Sequence, residues 1–222
     1  MTRKIFILEI LLTAAALAAT VAVYPRLPAR IPVHWNLQGH ADSFGPAWEL
    51  FLLGPGCMAA QMLLTVLLPW LSPKNFKIDA FRSTYRQVML MLFALCSYLT
   101  AVMLWSAFGH AIDIGRAISG GLCLLIALLG NVMGKIRRNF FIGVRTPWTL
   151  SSERVWNATH RFAGKMCVAG GLIGLVLVIA GLDSWPLYIL LAAALASVVY
   201  SLVYYKQLEH RGELDGHIAQ KP

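Results

Sequence analysis

The chain has 222 residues, of which 58% are hydrophobic and 13% are charged, and its mean hydropathy is +0.65. This composition excludes an ordinary water-soluble domain and indicates a protein that crosses a membrane several times. The formal net charge of +9 is not accompanied by a zinc-finger, helix-turn-helix or RNA-binding motif, so we expect no direct binding to nucleic acid.

Six segments of the chain are apolar over the roughly 20 residues that a helix needs to cross a bilayer. They cover residues 5–24, 48–71, 88–108, 118–133, 162–182 and 185–205. Helices are expected because a backbone in lipid must satisfy its own amides, and these unbroken runs lack the alternation of barrel strands. We therefore predict an all-α, polytopic integral membrane protein with six transmembrane helices.

The first segment contains one acidic residue, Glu9, about one helical turn from its start. An ionised carboxylate at this depth is costly unless it is protonated, is paired or reaches the interface. A functional role for Glu9 and an ion pair with Arg3, Lys4 or another cytoplasmic arginine are both open.

The first long loop, residues 25–46, joins the first two segments and reads PRLPARIPVHWNLQGHADSFGP. Its prolines forbid a regular helix and its glycines, Gly39 and Gly45, favour turns, so we predict a structured hairpin. It would present candidate ligand- or partner-binding side chains, namely His34, Trp35, Asn36, His40 and Asp42. Trp35 and Phe44 could equally anchor the loop among lipid headgroups.

His34, His40 and Asp42 are residue types that can bind a metal, but their spacing matches no zinc signature and no further ligand is evident. We therefore predict no metal site and no cofactor. No nucleophile with a neighbouring base is evident either, so we predict that the protein is not an enzyme.

The second long loop, residues 135–161, is dense in polar and aromatic residues between two apolar segments. Pro147 favours an extended backbone at Thr146, and Thr149 or Ser151 is expected to cap a new helix. Arg145 is a candidate for holding a carboxylate or phosphate. The candidate binding residues of this loop are Asn139, Gly143, Arg145, Thr146, Trp148, Thr149, Trp156 and His160.

The helix after this cap is predicted to be amphipathic at its start. Arg154, Arg161 and Lys165 fall on one face at helical spacing, whereas Trp156 and His160 fall on the opposite face. This pattern fits a segment that lies at the inner membrane surface before it enters the fifth span. Alternatively, the whole loop only locks the fourth and fifth helices together.

The four cysteines, Cys57, Cys96, Cys123 and Cys167, lie in or at the ends of the apolar segments and include no C-x-x-C pair. A disulfide framework would place cysteines in the outer loops. We interpret these four as small residues of the helix core.

The positions of lysine and arginine predict the orientation, because cationic flanks accumulate in the cytoplasm. With the N-terminus inside, sixteen of these residues are cytoplasmic, and only Arg26, Arg30 and Arg116 are outside. The sequence therefore places both termini and the second loop in the cytoplasm, with the first loop outside.

The two loops resemble a known family. The second carries N-x-F-x-G-x-R-T-P-W-T-L-x-S-x-x-x-W-x-x-T-H-R over residues 139–161, which is similar to the signature of the SdpI family of toxin-immunity membrane proteins. The first carries I-P-x-H-W-N-x-x-G, which resembles a domain of uncharacterised function often fused before that signature.

The resemblance implies a multi-pass protein of the bacterial cell (inner) membrane that gives resistance to a membrane-active peptide toxin. Its implied partners are membrane lipid, a secreted peptide toxin outside and a transcriptional repressor inside. The oligomeric state is left open.

We divide the chain into three parts. Residues 1–71 hold the first span, the outer loop and the second span, residues 72–134 hold the third and fourth spans, and residues 135–222 hold the signature loop, the last two spans and a cytoplasmic tail from residue 206. The alternative function is a transporter of small molecules or ions, because each long loop follows the first span of a three-helix half.

Overall fold

The computed structural model describes residues 3–36, 40–76 and 78–214. Within them, six helical stretches are long and apolar enough to cross a membrane: Arg3–Arg26, Glu49–Leu71, Ile78–Ala107, Ile114–Met133, Glu153–Ile179 and Trp185–His210. The predicted all-α fold with six transmembrane helices is confirmed. Which side of the membrane the termini occupy stays a prediction.

The described residues of the first half form four α-helices and a hairpin. They are α1 (Arg3–Val23), strands β1 (Arg30–Trp35) and β2 (Ala41–Pro46), α2 (Glu49–Phe51), α3 (Cys57–Leu71) and α4 (Arg82–Ala107). A π-helical stretch, Leu52–Gly56, joins α2 to α3 and contains Pro55, which cannot donate a backbone hydrogen bond. The second span is therefore one interrupted helix.

The second half contains α5 (Ile114–Met133), the one-turn helix α6 (Pro147–Ser151), α7 (Glu153–Ile179) and α8 (Trp185–His210). Helix α7 begins nine residues before the predicted start of the fifth span, so the amphipathic segment around residues 154–161 is the first part of the helix of that span. Helix α8 continues past residue 205, and the tail predicted from residue 206 therefore starts as helix. Residues 215–222 lie outside the described part.

The hairpin predicted for the first loop is confirmed. β1 and β2 pair antiparallel from Arg30 opposite Pro46 to Trp35 opposite Ala41, with an irregularity beside His34. Ile31 is buried in a cluster with Val23, Leu50 and Leu104, so the hairpin packs onto the ends of the first three spans. The turn predicted at Gly39 lies outside the described residues.

Helices α5 and α7 approach each other closely at glycines. A Cβ added to Gly130 would lie 2.7 Å from the carbonyl oxygen of Gly164, and one added to Gly171 would lie 2.6 Å from the carbonyl oxygen of Cys123. Only glycine allows backbones this near, and the contact gains van der Waals energy that lipid cannot supply. The small residues of these helices therefore serve packing within the chain.

Glu9 and Cys57 differ from the expectations for them. Glu9 is only 4% exposed, and the described residues form no ion pair with it, so the interpretation that it pairs with Arg3 or Lys4 is wrong in this structure. Cys57 is exposed rather than part of the core, and its Sγ lies 3.5 Å from Sγ of Cys96. The sequence spacing gave no sign of this pair, because the two residues lie on different spans.

Candidate functional site

Four of the five side chains proposed for the outer loop line one cavity of about 440 Å³. We call it the hairpin cavity. The hairpin contributes His34, Trp35, Asn36 and Asp42, and the first turns of α5 and α8 close the other side. His40 is exposed and does not line the cavity. The volume of the hairpin cavity falls within the range of small-ligand pockets.

His34 and Asp42 form the polar part of the rim. The Nδ1 of His34 lies 2.6 Å from Oδ1 of Asp42, and both side chains are well exposed. Because an ionised carboxylate can only accept, the imidazole donates through Nδ1. This bond crosses from β1 to β2 and fixes the orientation of the ring over the cavity.

Asn36 closes the turn of the hairpin. Its backbone N–H donates to the carbonyl oxygen of His40 (2.9 Å), and the backbone N–H of His40 donates to Oδ1 of Asn36 (3.0 Å). The two residues therefore hold the ends of the turn together. His40 contributes its backbone to this turn, while its imidazole is not brought to the pair of His34 and Asp42 at the cavity.

The far wall of the cavity carries one acidic residue that the sequence did not single out. Asp183, in the turn before α8, accepts two hydrogen bonds from Arg116: from Nε to Oδ1 at 3.0 Å and from Nη2 to Oδ2 at 2.8 Å. The bonds from Arg116 hold the pKa of the Asp183 carboxyl below its usual value. The pair ties the start of α5 to the start of α8.

Below this rim the wall is almost wholly apolar. Its apolar residues are Ile118, Leu122 and Cys123 of α5 with Pro186, Leu187 and Leu190 of α8, and Ser119 of α5 adds a hydroxyl. A polar rim above an apolar floor suits an amphipathic ligand, whose charged part stays at the surface while an apolar side chain enters the protein.

The second predicted site lies at the opposite end of the bundle, after α5. Asn139 is fully buried, and its Nδ2 donates to the carbonyl oxygens of Arg137 (2.9 Å) and Ile142 (3.0 Å). Its Oδ1 accepts from the backbone N–H groups of Phe141 and Ile142, both at 2.8 Å. One side-chain amide thus holds the whole turn and has no capacity left for a ligand.

His160 is buried beneath Gly143. Its Nε2 accepts from the backbone N–H of Val144 at 3.2 Å, so its proton is on Nδ1, which lies 2.8 Å from the carbonyl oxygen of Trp156. A Cβ on Gly143, whose φ is +114°, would lie 2.1 Å from that Nε2. Glycine is required here for two reasons: the backbone is left-handed and the imidazole leaves no room.

Trp156 completes this buried layer. Its ring stacks on that of His160 with centroids 3.9 Å apart, and its Nε1 donates to the carbonyl oxygen of Ile136 at 2.7 Å. The predicted faces of α7 are confirmed, because Trp156 and His160 are buried whereas Arg154, Arg161 and Lys165 are exposed. Trp156 and His160 fasten the loop to α7.

The caps of α6 and α7 differ from those expected. Thr146, with φ −108° and ψ 161°, caps α6 in a reciprocal pair with Thr149, and Ser152 caps α7. The prediction of Thr149 or Ser151 as the cap was wrong, because Pro147 fits the first helical position and makes Thr146 the preceding residue. The extended backbone predicted for Thr146 is confirmed.

Trp148 and Arg145 are the remaining predicted residues of this loop. The Nε1 of Trp148 donates to Oγ of Ser201 on α8 at 2.5 Å, which joins α6 to the last span. Arg145 is exposed, and its guanidinium donates to the carbonyl oxygen of Phe140. The loop is thus an internally bonded elbow, and Arg145 is the predicted side chain most available to a partner.

The geometry excludes one composite site. His34 lies at the hairpin end of the bundle and His160 at the elbow end, since α5 spans the distance between them. The imidazoles therefore cannot act together on one ligand.

Comparison with known proteins gives matches at both ends. The model of the SdpI/YfhL protein family matches residues 135–205, and a domain of unknown function (DUF1648) matches residues 11–59. The chain is 28% identical over 205 residues to the immunity protein SdpI of Bacillus subtilis (strain 168). The aligned region covers 91% of this chain and 96% of that protein. No solved structure matches.

Proposed function

Because residues 135–205 match the model of the SdpI/YfhL protein family, we propose that this multi-pass membrane protein is an immunity protein that protects a bacterium from a membrane-active peptide toxin. The observation that carries the proposal is the hairpin cavity, whose rim is polar and whose floor is apolar. The similarity to an immunity protein over 91% of the chain supports the same function.

The hairpin cavity suits a peptide rather than a small polar solute. An apolar residue of the peptide would enter between α5 and α8, and its polar backbone would stay beside His34, Asn36 and Asp42. The burial of one large apolar side chain contributes about 1.5–3 kcal/mol. Binding there keeps the toxin at the membrane surface, where it cannot insert and assemble.

The test compares two tryptophan substitutions on α5. Leu122 lines the hairpin cavity, whereas Leu124 is 50% exposed on the outer surface of the same helix. Leu122→Trp would fill the cavity, and Leu124→Trp adds the same side chain where lipid can accept it. The assay is the growth-inhibitory concentration of a panel of membrane-active peptides for sensitive bacteria that express equal membrane amounts of each form.

We expect the wild type and Leu124→Trp to raise the inhibitory concentration of one peptide class, and Leu122→Trp to lose that protection. Equal protection by both variants would remove the cavity from the proposal. If the wild type protects against no peptide of the panel, the immunity function itself is refuted.

The elbow is proposed to recruit a cytoplasmic transcriptional regulator through Arg145, which is exposed beside the α6 cap. Its guanidinium can bind a carboxylate of the regulator through two parallel hydrogen bonds, as a bidentate pair. In cells, Arg145→Gln is expected to abolish toxin-dependent transcription of the gene for this chain while resistance persists. An unchanged transcriptional response would exclude Arg145 as the contact.

The transporter built from two three-helix halves stays a prediction. In the described residues the connections of the two halves differ, since a β-hairpin follows α1 and a one-turn helix follows α5. Repeated halves would carry the same connection, so the immunity function is the better supported of the two.

A further inference from the structure

We propose that a groove along α7 is a binding site for an anionic phospholipid, in the leaflet on the elbow side of the membrane. The groove has a volume of about 910 Å³ and runs between α5 and α8. Its main lining residues are Asn131, Arg161, Lys165, Ala169, Leu172 and Tyr200. We call it the lipid groove. The proposal is independent of toxin binding at the hairpin cavity.

The shape of the lipid groove follows from the glycine contact between α5 and α7. Gly130 and Gly164, where the two backbones meet, both line the groove and contribute no side chain that could fill it. Ala169 and Leu172, one turn apart on α7, are exposed along its floor. This floor offers an apolar surface on which an acyl chain can lie.

An aromatic wall closes the other side of the groove. Phe162 stacks on Tyr200 with ring centroids 4.3 Å apart, and Tyr200 stacks in turn with Tyr204 at 5.8 Å. Stacked rings lose little conformational freedom when a ligand arrives, because their two side-chain torsions are already fixed. The wall therefore gives the groove a defined edge against α8.

Two cations lie at the elbow end of this floor. Arg161 and Lys165 are one helical turn apart and exposed, and neither forms an ion pair with another described residue. Among the residues that the structure describes, no acidic side chain lines the groove. Asn131 beside them is also exposed, and its side-chain amide has no hydrogen-bond partner within the described ranges. The groove thus offers two cations and an amide donor with no carboxylate beside them, and this set suits the negative charge of a phosphodiester.

The depth of Arg161 matches that of a lipid phosphate. The 27 residues of α7 span about 40 Å, against about 30 Å for the hydrocarbon core. Because the far end of α7 is apolar, the excess of about 10 Å falls at its start, before Arg161. Arg161 therefore lies near the core boundary and Lys165 reaches up to it.

The adjoining surface has room for a headgroup. A second, polar cavity of about 700 Å³ shares Gly134 and Arg161 with the lipid groove and is also lined by Lys135 and Arg137. Its acidic residue, Asp79, is paired with Arg82 at 2.6 Å. This polar cavity is thus cationic, and it favours an anionic headgroup over a zwitterionic one.

The experiment measures lipid retained by the purified full-length protein in native mass spectrometry, after addition of phosphatidylglycerol or phosphatidylcholine with the same acyl chains. The test variant is Arg161→Gln with Lys165→Gln. The matched control is Lys74→Gln with Arg211→Gln, which removes the same charge from exposed positions at the elbow end and outside the groove.

We expect the wild type and the control to prefer phosphatidylglycerol, and the test variant to bind it about 30-fold more weakly, which is about fivefold to sixfold for each cation. Equal binding of phosphatidylglycerol by test and control variants would overturn the proposal. So would equal retention of both lipids by the wild type.

A second variant distinguishes the contribution of acyl-chain contacts to lipid binding from that of the two cations. Ala169→Trp fills the floor of the lipid groove and keeps both cations, so it is expected to lower phosphatidylglycerol retention while leaving the weak binding of glycerol phosphate unchanged. If a polyglutamate peptide instead displaces the lipid from the wild type and Ala169→Trp binds lipid normally, the site belongs to an acidic protein segment and the lipid proposal fails.

Discussion

Gly143→Ala tests whether the elbow is built around His160. The added methyl carbon would lie 2.1 Å from Nε2 of His160, at a residue whose φ is +114°. His160 must therefore move, and the backbone N–H of Val144 loses its acceptor. Gly109→Ala is the matched control, because Gly109 also has a positive φ, +90°, but no atom of the described residues lies within 4 Å of its added Cβ.

The expected loss in the free energy of unfolding has two separate contributions. A left-handed alanine costs on the order of 1–3 kcal/mol, and both variants carry this cost. Only Gly143→Ala also leaves the part-buried N–H of Val144 without its acceptor, and a donor left unsatisfied in the protein interior costs about 1–3 kcal/mol. The free energy of unfolding should therefore fall by about 1–3 kcal/mol in Gly109→Ala, and by about 1–3 kcal/mol more in Gly143→Ala.

The assay is reversible unfolding of the purified protein in mixed micelles by titration with sodium dodecyl sulfate, followed by far-ultraviolet circular dichroism. Gly143→Ala should unfold at a clearly lower detergent fraction than Gly109→Ala. If the two variants have the same midpoint, His160 does not hold the elbow and the description of the buried layer is refuted.

Two further predictions concern contacts between spans. Mild oxidation with copper phenanthroline should join Cys57 to Cys96, whose sulfurs lie 3.5 Å apart, so that mass spectrometry finds two fewer alkylated thiols than before oxidation. In Cys57→Ser, the number of alkylated thiols should be the same before and after oxidation. Full alkylation of the oxidised wild type would contradict this packing of α3 on α4. Since the bonds from Arg116 lower the folded-state pKa of Asp183, the pair should stabilise the protein above the ordinary aspartate pKa of about 4 and lose this effect as the pH falls through the lower folded value. The unfolding midpoint of Asp183→Asn should accordingly converge with that of the wild type at low pH, and a constant gap from pH 7 to below pH 3 would exclude this linkage.

The spans and the hairpin could be predicted from the sequence because their signals are local. Apolar length fixes a span, and the prolines and glycines of residues 25–46 exclude a helix. The faces of α7 could also be predicted, since helical spacing separates Trp156 and His160 from the basic residues. The cap at Thr146 had a usable signal in Pro147, which fits the first position of a helix.

The hairpin cavity could not be predicted, because it depends on which helices are neighbours. Helix α8 is apolar on all sides, so its sequence does not show that Pro186 and Leu190 face His34. Asp183 gave only a weak signal as an acidic residue in a short turn. The acceptor role of His160 also needed the fold, since Val144 reaches it across sixteen residues of chain.

We expect the hairpin cavity to face the exterior and the elbow to face the cytoplasm. The direct measurement is labelling of intact cells with a membrane-impermeant maleimide, in a variant without the four native cysteines that carries either Ser43→Cys on β2 or Ser151→Cys at the end of α6, both exposed positions. This orientation predicts labelling of Ser43→Cys in intact cells and of Ser151→Cys only after the membrane is permeabilised. Labelling of both positions from outside, or of Ser151→Cys alone, would contradict it.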